Sequence, residues 1–109
     1  MQLDFQAREI AAILGTSNRF DDLYTAISID SRQIHSDYHT LFFALPGKQT
    51  DGHHFIAVLY QEGVRGFVVK KGFVTDPYPE ANFYEVEDVI LALQLVAQYH
   101  RNKFDIPVI

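Results

Sequence analysis

From Leu45 to His54 the chain reads Leu-Pro-Gly-Lys-Gln-Thr-Asp-Gly-His-His, turn formers carrying a cation, an amide, a hydroxyl, a carboxylate and two imidazoles. Three chemistries draw on such residues: phosphate cradling, metal ligation, and nucleophilic or acid–base catalysis. A Walker-type phosphate loop needs an upstream glycine, so that backbone N–H groups can wrap the phosphates, and a Ser or Thr directly after the lysine to reach magnesium. Phe42 and Gln49 occupy those places, so Gly47-Lys48 is not that motif. Zinc needs roughly three or four convergent ligands, and on a helix the neighbours His53 and His54 diverge by about 100°. His35 and His39 are separated by the loop-like Ser36-Asp37-Tyr38, and the chain has no cysteine. Asp30, Ser31 and several histidines are the raw material of a Ser-His-Asp triad, but no nucleophile-elbow motif surrounds any serine. No catalytic residue and no metal-ligand set is predicted. What remains is either a plain surface turn or a loop that offers a phosphate-bearing small molecule unpaired N–H groups at a helix start.

The elements around that loop set its place in the fold and leave both readings open. Thr40 to Leu45 is a continuous apolar run closed by Pro46-Gly47, as in a strand buried on both faces. Asp51 can N-cap a helix carrying Phe55, Ile56, Leu59 and Tyr60, and Gly63 can end it before the apolar run Val64 to Val69. Strand, helix, strand implies two parallel strands joined by a crossover. Upstream, Phe5, Ile10, Ile13 and Leu14 predict a helix over 4–14 capped by Gly15, and Ala26 to Ser31 alternates as a half-buried strand. Downstream, Asn82 to Val86 reads as a strand. Val86, Val89, Ile90, Leu93, Ala97 and His100 predict one face of a long helix starting near Glu87 and ending before Phe104. The expected fold is α/β, with a mixed, partly parallel sheet flanked by helices. In such a sheet the carboxyl ends of the strands are where ligands bind.

Bulk properties narrow the partners. A length of 109 residues implies one domain, and 48% apolar with 21% charged residues is ordinary globular composition. Nine Lys and Arg against 14 Asp and Glu give a formal charge of -5, which repels a nucleic-acid backbone. The absence of cysteine fits a reducing compartment, with the cytoplasm as the default. Neither a signal peptide nor an apolar run long enough for membrane insertion is present.

Several stretches match a known family. Ile29-Asp30-Ser31-Arg32, Leu41 to Gly47, Asp51-Gly52-His53-His54-Phe55-Ile56 and Gly63 to Val69 together resemble the N-terminal domain of the Mur ligases. The similarity covers nearly the whole chain. The segment Ala97 to Ile109 looks closest to the members that add D-alanyl-D-alanine, some of which are fused to an alanine racemase; the members that add the third peptide residue are the alternative, and a non-catalytic interaction module is a further one. Gln33 to His39 departs from the family in lacking its Pro-Gly-Asp turn.

The resemblance implies a three-domain ligase whose N-terminal domain, residues 1–109 here, holds a UDP-N-acetylmuramoyl-peptide. A central domain following directly after Asp105 to Ile109 would bind ATP and magnesium, so no cofactor is expected in this domain. The reaction it implies activates the substrate's terminal carboxylate as an acyl phosphate that an amine then attacks, outside these residues. By motif position, Ser31, Arg32, Lys48, Gln49, Thr50 and His53 correspond to the region contacting the uridine diphosphate. A serine hydroxyl and backbone N–H groups can donate to phosphate oxygens, and amide or hydroxyl side chains can read uracil. Arg32 serves either the diphosphate or an ion pair with Asp30. His53 either approaches the ligand or is a solvated polar residue.

Overall fold

A computed structural model of the chain describes residues 5–29, 39–46 and 52–103. Four strands form a wholly parallel sheet in the order β3-β4-β5-β6: β3 (Ala26–Ser28), β4 (Thr40–Phe43), β5 (Gly66–Lys70) and β6 (Asn82–Val86). A separate antiparallel ribbon pairs β1 (Phe5–Gln6) with β2 (Leu23–Tyr24). Both strand orientations are therefore present, but in two sheets. Three helices complete the fold: α1 (Ala7–Leu14), α2 (Ile56–Gln61) behind a 3-10 turn (Gly52–Phe55), and α3 (Val89–Lys103).

The period-two pleat explains the layering. Leu41, Phe43, Val68 and Tyr84 point to one face and pack with Phe5, Ile10, Ala11, Tyr24, Ala92 and Val96, the buried residues of the ribbon, α1 and α3. Phe42, Phe67 and Val69 point to the other and pack with Ile56, Leu59, Val64 and Ala81. That second face is covered by α2 and by the helix-free 71–81 connection, whose Phe73 and Tyr78 pack on it. All of β4 is buried, as its unbroken apolar run requires.

Local signals account for most boundaries. Gly15 takes φ 68° and, with Thr16, returns N–H bonds to Ala12 and Ala11 at the end of α1. The helix expected over 4–14 begins later, because Phe5 and Gln6 pair with Tyr24 and Leu23; Glu9 accepts the Gln6 N–H at 3.0 Å. β5 starts at Gly66 rather than Val64, and β3 ends at Ser28, with Ile29 already in a bend, short of the strand expected from Ala26 to Ser31. The segment Asp105 to Ile109 and the Asp51 cap lie outside the described residues.

The buried face of α3 differs from expectation: Val89, Ala92 and Val96 are buried, while Ile90 is 47% exposed and Ala97 is exposed. Leu91, Leu95 and Tyr99 are also apolar and exposed, so more than one apolar stripe was available. The one chosen contains the small residue Ala92, which lets α3 approach its neighbours closely. No described helix is long and apolar enough to cross a membrane.

Candidate functional site

Because β3 to β6 are parallel, their carboxyl ends at Ser28, Phe43, Lys70 and Val86 share one edge of the sheet. β3 and β4 are direct neighbours, with Ser28 opposite Phe42. Ser31 and Arg32 follow β3 in the chain, and Lys48, Gln49 and Thr50 fall between β4 and the 3-10 turn. These five lie outside the described residues, as do Asp30 and His35. Of the six residues expected at a ligand, His53 alone is described.

The return of the 45–54 stretch is tightly built. Gly52 N–H donates to Leu45 O at 2.8 Å. A Cβ on Gly52 would stand 2.8 Å from Leu45 N and 3.0 Å from Ala44 Cα. Those neighbours are backbone and cannot swing aside, so only glycine lets the turn press onto the strand exit. One residue on, the Lys70 N–H donates to His53 Nε2 at 3.0 Å. The imidazole also lies against Phe73, with ring centroids 5.4 Å apart. Nε2 acts as an acceptor, which puts the neutral ring's proton on Nδ1.

Charge along this edge is divided. Lys70 and Lys71 are exposed where β5 ends, beside exposed His54. Where β6 ends, Glu87 and Asp88 are exposed, and Asp88 caps α3 by accepting the Leu91 N–H at 3.1 Å. Among the described residues no three His, Cys, Asp or Glu gather to hold a metal ion.

Another opening, of about 630 Å³, lies between α1 and α3 and is lined by Arg8, Glu9, Ala12, Ile13, Leu95 and Tyr99 among others. Its charged groups are engaged in capping: Arg8 Nε donates to Gln6 Oε1 at 2.6 Å and Glu9 accepts the Gln6 N–H.

The opposite, amino edge holds a polar network that the sequence did not announce. Asn82, 1% exposed, accepts from the N–H groups of Arg19 and Phe20 at 2.8 Å each and donates to Phe20 O at 3.0 Å and Tyr24 Oη at 3.1 Å. Its amide is fully used. Tyr84 donates onward to Ala7 O at 3.3 Å, so Tyr24 must donate to Tyr84 across 3.0 Å, giving a directed relay from Asn82 to α1. Burial pushes the Tyr24 hydroxyl up to about 12, and burial with the nearby Tyr24 pushes Tyr84 higher. The one available signal was an Asn opening an apolar strand, against β propensity. The network ties the amino edge of the sheet to α1.

Comparison with known proteins follows the same lines. Residues 23–101 match the family described as "Mur ligase family, catalytic domain". The UDP-N-acetylmuramoyl-L-alanyl-D-glutamate--2,6-diaminopimelate ligase of Cytophaga hutchinsonii is 30% identical over 96 residues, covering 88% of this chain and 19% of that protein. Its namesake from Clostridium tetani is 36% identical over 81 residues, covering 72% of this chain and 16% of that one. Among solved structures, MurF from Acinetobacter baumannii superposes with a TM-score of 0.76 at 22% identity, covering 94% of this chain and 22% of its own. The UDP-N-acetylmuramoylalanyl-D-glutamyl-2,6-diaminopimelate--D-alanyl-D-alanyl ligase from the same organism gives 0.76 at 22% identity, with 95% and 23% covered. These structural likenesses speak to the fold. The chain spans about a fifth of the length of the relatives it matches.

Proposed function

This chain belongs to the Mur ligase family, and from that premise we propose that it is the N-terminal domain holding the UDP-N-acetylmuramoyl-peptide substrate of an ATP-dependent, cytoplasmic ligase that adds D-alanyl-D-alanine to the peptidoglycan precursor. One observation carries the reading: two neighbouring parallel strands, β3 and β4, end at the same sheet edge, and the segments with the family's Asp-Ser-Arg and Asp-Gly-His elements start from that edge. Ser31, Arg32, Lys48, Gln49 and Thr50 serve the uridine diphosphate as donors and cations, and His53 closes their segment. Lys70 and Lys71 at the end of β5 add positive charge at this edge in a chain whose overall charge is negative.

In a full-length ligase ATP would supply the energy for peptide-bond formation, with magnesium neutralising its phosphate charge. The residues of this chain do not fit that pair. Phe42 and Gln49 stand where a Walker loop needs Gly and Ser or Thr, and no metal-binding group gathers among the described residues. We assign ATP to a following domain, into which α3 leads, and we expect residues 1–109 to be inactive alone.

The D-alanyl-D-alanine assignment rests on the Ala97 to Ile109 segment. A second reading, addition of the third peptide residue, is favoured by the names of the relatives at 30% and 36% identity. Assay of the full-length enzyme with ATP separates them. Joining D-alanyl-D-alanine to UDP-N-acetylmuramoyl-tripeptide supports the first, and joining 2,6-diaminopimelate to the dipeptide precursor supports the second. Turnover with neither pair contradicts both.

A further inference from the structure

We infer that the outer stripe of α3, together with the adjoining turn of α1, is the surface on which the following domain of the ligase packs. The inference rests on the reading that such a domain follows. α3 is buried along Val89, Ala92 and Val96. Successive helical residues are turned by about 100°, so Leu91 and Leu95, each one position before a buried residue, form a second row beside the first. Tyr99 extends that row by a further turn. The three are 51%, 40% and 42% exposed. A helix that packs on one side and meets water on the other carries charge on its outer face, yet from Val89 to Tyr99 the sequence has no charged residue at all. That is the composition of a helix set between two layers, of which this chain supplies one.

The exposed row is continuous with α1. The opening of about 630 Å³ joins Ala12 and Ile13 to Leu95 and Tyr99, and a second opening, of about 350 Å³, shares Leu95 and adds Leu14 and Leu91. The Tyr99 ring leans on buried Phe5, with centroids 6.0 Å apart, which fixes one end of the strip. Arg8 and Glu9 stand beside that end, and Lys71, Glu87 and Asp88 beside the other, so charged groups rim an apolar strip as they do at interaction surfaces. Charge and size both disfavour a second copy as the occupant. Each chain carries a formal charge of -5, so two copies repel, and the strip falls short of the roughly 20–30 residues a side used between free molecules. A covalently attached domain needs less contact, because its linker holds it at an effective concentration near millimolar. The chain spans about a fifth of the length of the relatives it matches, and α3 is the last described element. In a ligase of that length the following domain starts from the helix that carries the strip.

Single cysteines report the contact, since the chain has none of its own. Leu91→Cys and Leu95→Cys place thiols on the strip; Val58→Cys, on α2 across the sheet and 54% exposed, is the control. Alkylation rates with iodoacetamide are compared between residues 1–109 and the full-length ligase, after thermal melts establish that each variant is folded. The labelled peptide is identified by mass, so cysteines elsewhere in the longer chain do not interfere. The expected result is that all three thiols react at similar rates in residues 1–109. In the full-length ligase the two strip thiols slow by about tenfold, as for a contact open roughly a tenth of the time, and Val58→Cys does not change. Equal rates for the strip thiols in both proteins overturn the inference, as does equal slowing at Val58→Cys. Slow, concentration-dependent labelling of Leu95→Cys in residues 1–109 alone makes a second copy the occupant and overturns it too. The shielding is read without ATP or substrate. A full-length protein that shields the strip and turns over neither substrate pair therefore refutes the ligase reading and leaves the domain contact standing.

Discussion

Asn82 is the residue on which the amino edge depends. All four of its amide hydrogen-bonding positions are satisfied in a 1% exposed site. Asn82→Ala leaves two N–H groups, one carbonyl and one hydroxyl without their partner, at about 1–3 kcal/mol for each group that stays unsatisfied. Partial rescue by water brings the expected loss to roughly 3–5 kcal/mol in urea unfolding. The neighbouring Tyr24 also makes alkaline stability a readout. Its hydroxyl is raised from 10.0 to about 12, chiefly by burial, so the folded chain keeps a proton that the unfolded chain releases. Stability from this source is complete below pH 10.0 and declines as pH rises through about 12. Urea midpoints at increasing pH, followed with tyrosinate absorbance, should fall from about pH 10; a flat profile to pH 12 would show that Tyr24 ionises as freely folded as unfolded. Gly66 completes the picture, because a Cβ there would lie 2.5 Å from the Tyr24 ring. Gly66→Ala should cost about 1–3 kcal/mol through displacement of that ring. Beyond the Asn that opens β6, none of this was legible in the sequence, since strand pairing joins Gly66 to Asn82 and the packing of a separate ribbon brings Tyr24 to them.

At the level of elements, the sequence was most informative where one pattern had one solution. β4 is apolar throughout and buried throughout, and Gly15 ends α1 in the left-handed conformation its position suggested. β6 spans Asn82–Val86, as the pattern predicted. The ribbon of β1 and β2 escaped notice because two-residue strands carry no periodicity. α3 shows the other limit, since Val89, Ile90, Leu91, Leu93, Leu95 and Val96 offer overlapping stripes and only tertiary contact selects among them. The consequence is measurable: Val96→Ala should destabilise by roughly 2 kcal/mol and Leu95→Gln by no more than about 0.5. A larger effect at Leu95 would mean that the α1–α3 opening is closed in solution. Gly52→Ala should cost about 1–3 kcal/mol, because its obstacles are backbone atoms of β4 rather than a side chain that can rotate.

Taken as a whole, the molecule is asymmetric between its two sheet edges. The amino edge is tied down by the Asn82, Tyr24 and Tyr84 network, while the carboxyl edge gathers the ends of four parallel strands, two lysines and the Gly52-His53 junction. The parallel pairing of β4 with β5 across α2 was legible from the order of strand, turn and helix. The hydrogen bond from the Lys70 N–H to His53 was not, because the two residues lie 17 apart and no sequence pattern encodes that contact. The central claim is that the carboxyl edge binds a UDP-linked muramoyl peptide. Its most direct test is an amide NMR titration with UDP-N-acetylmuramoyl-tripeptide, with UDP alone as the comparison. We predict saturable shifts at Ser28, Ser31, Arg32, Gln49 to His53 and Lys70, with Asn82 and Tyr84 unmoved. Shifts confined to the α1–α3 opening, or none at millimolar ligand, would contradict the assignment.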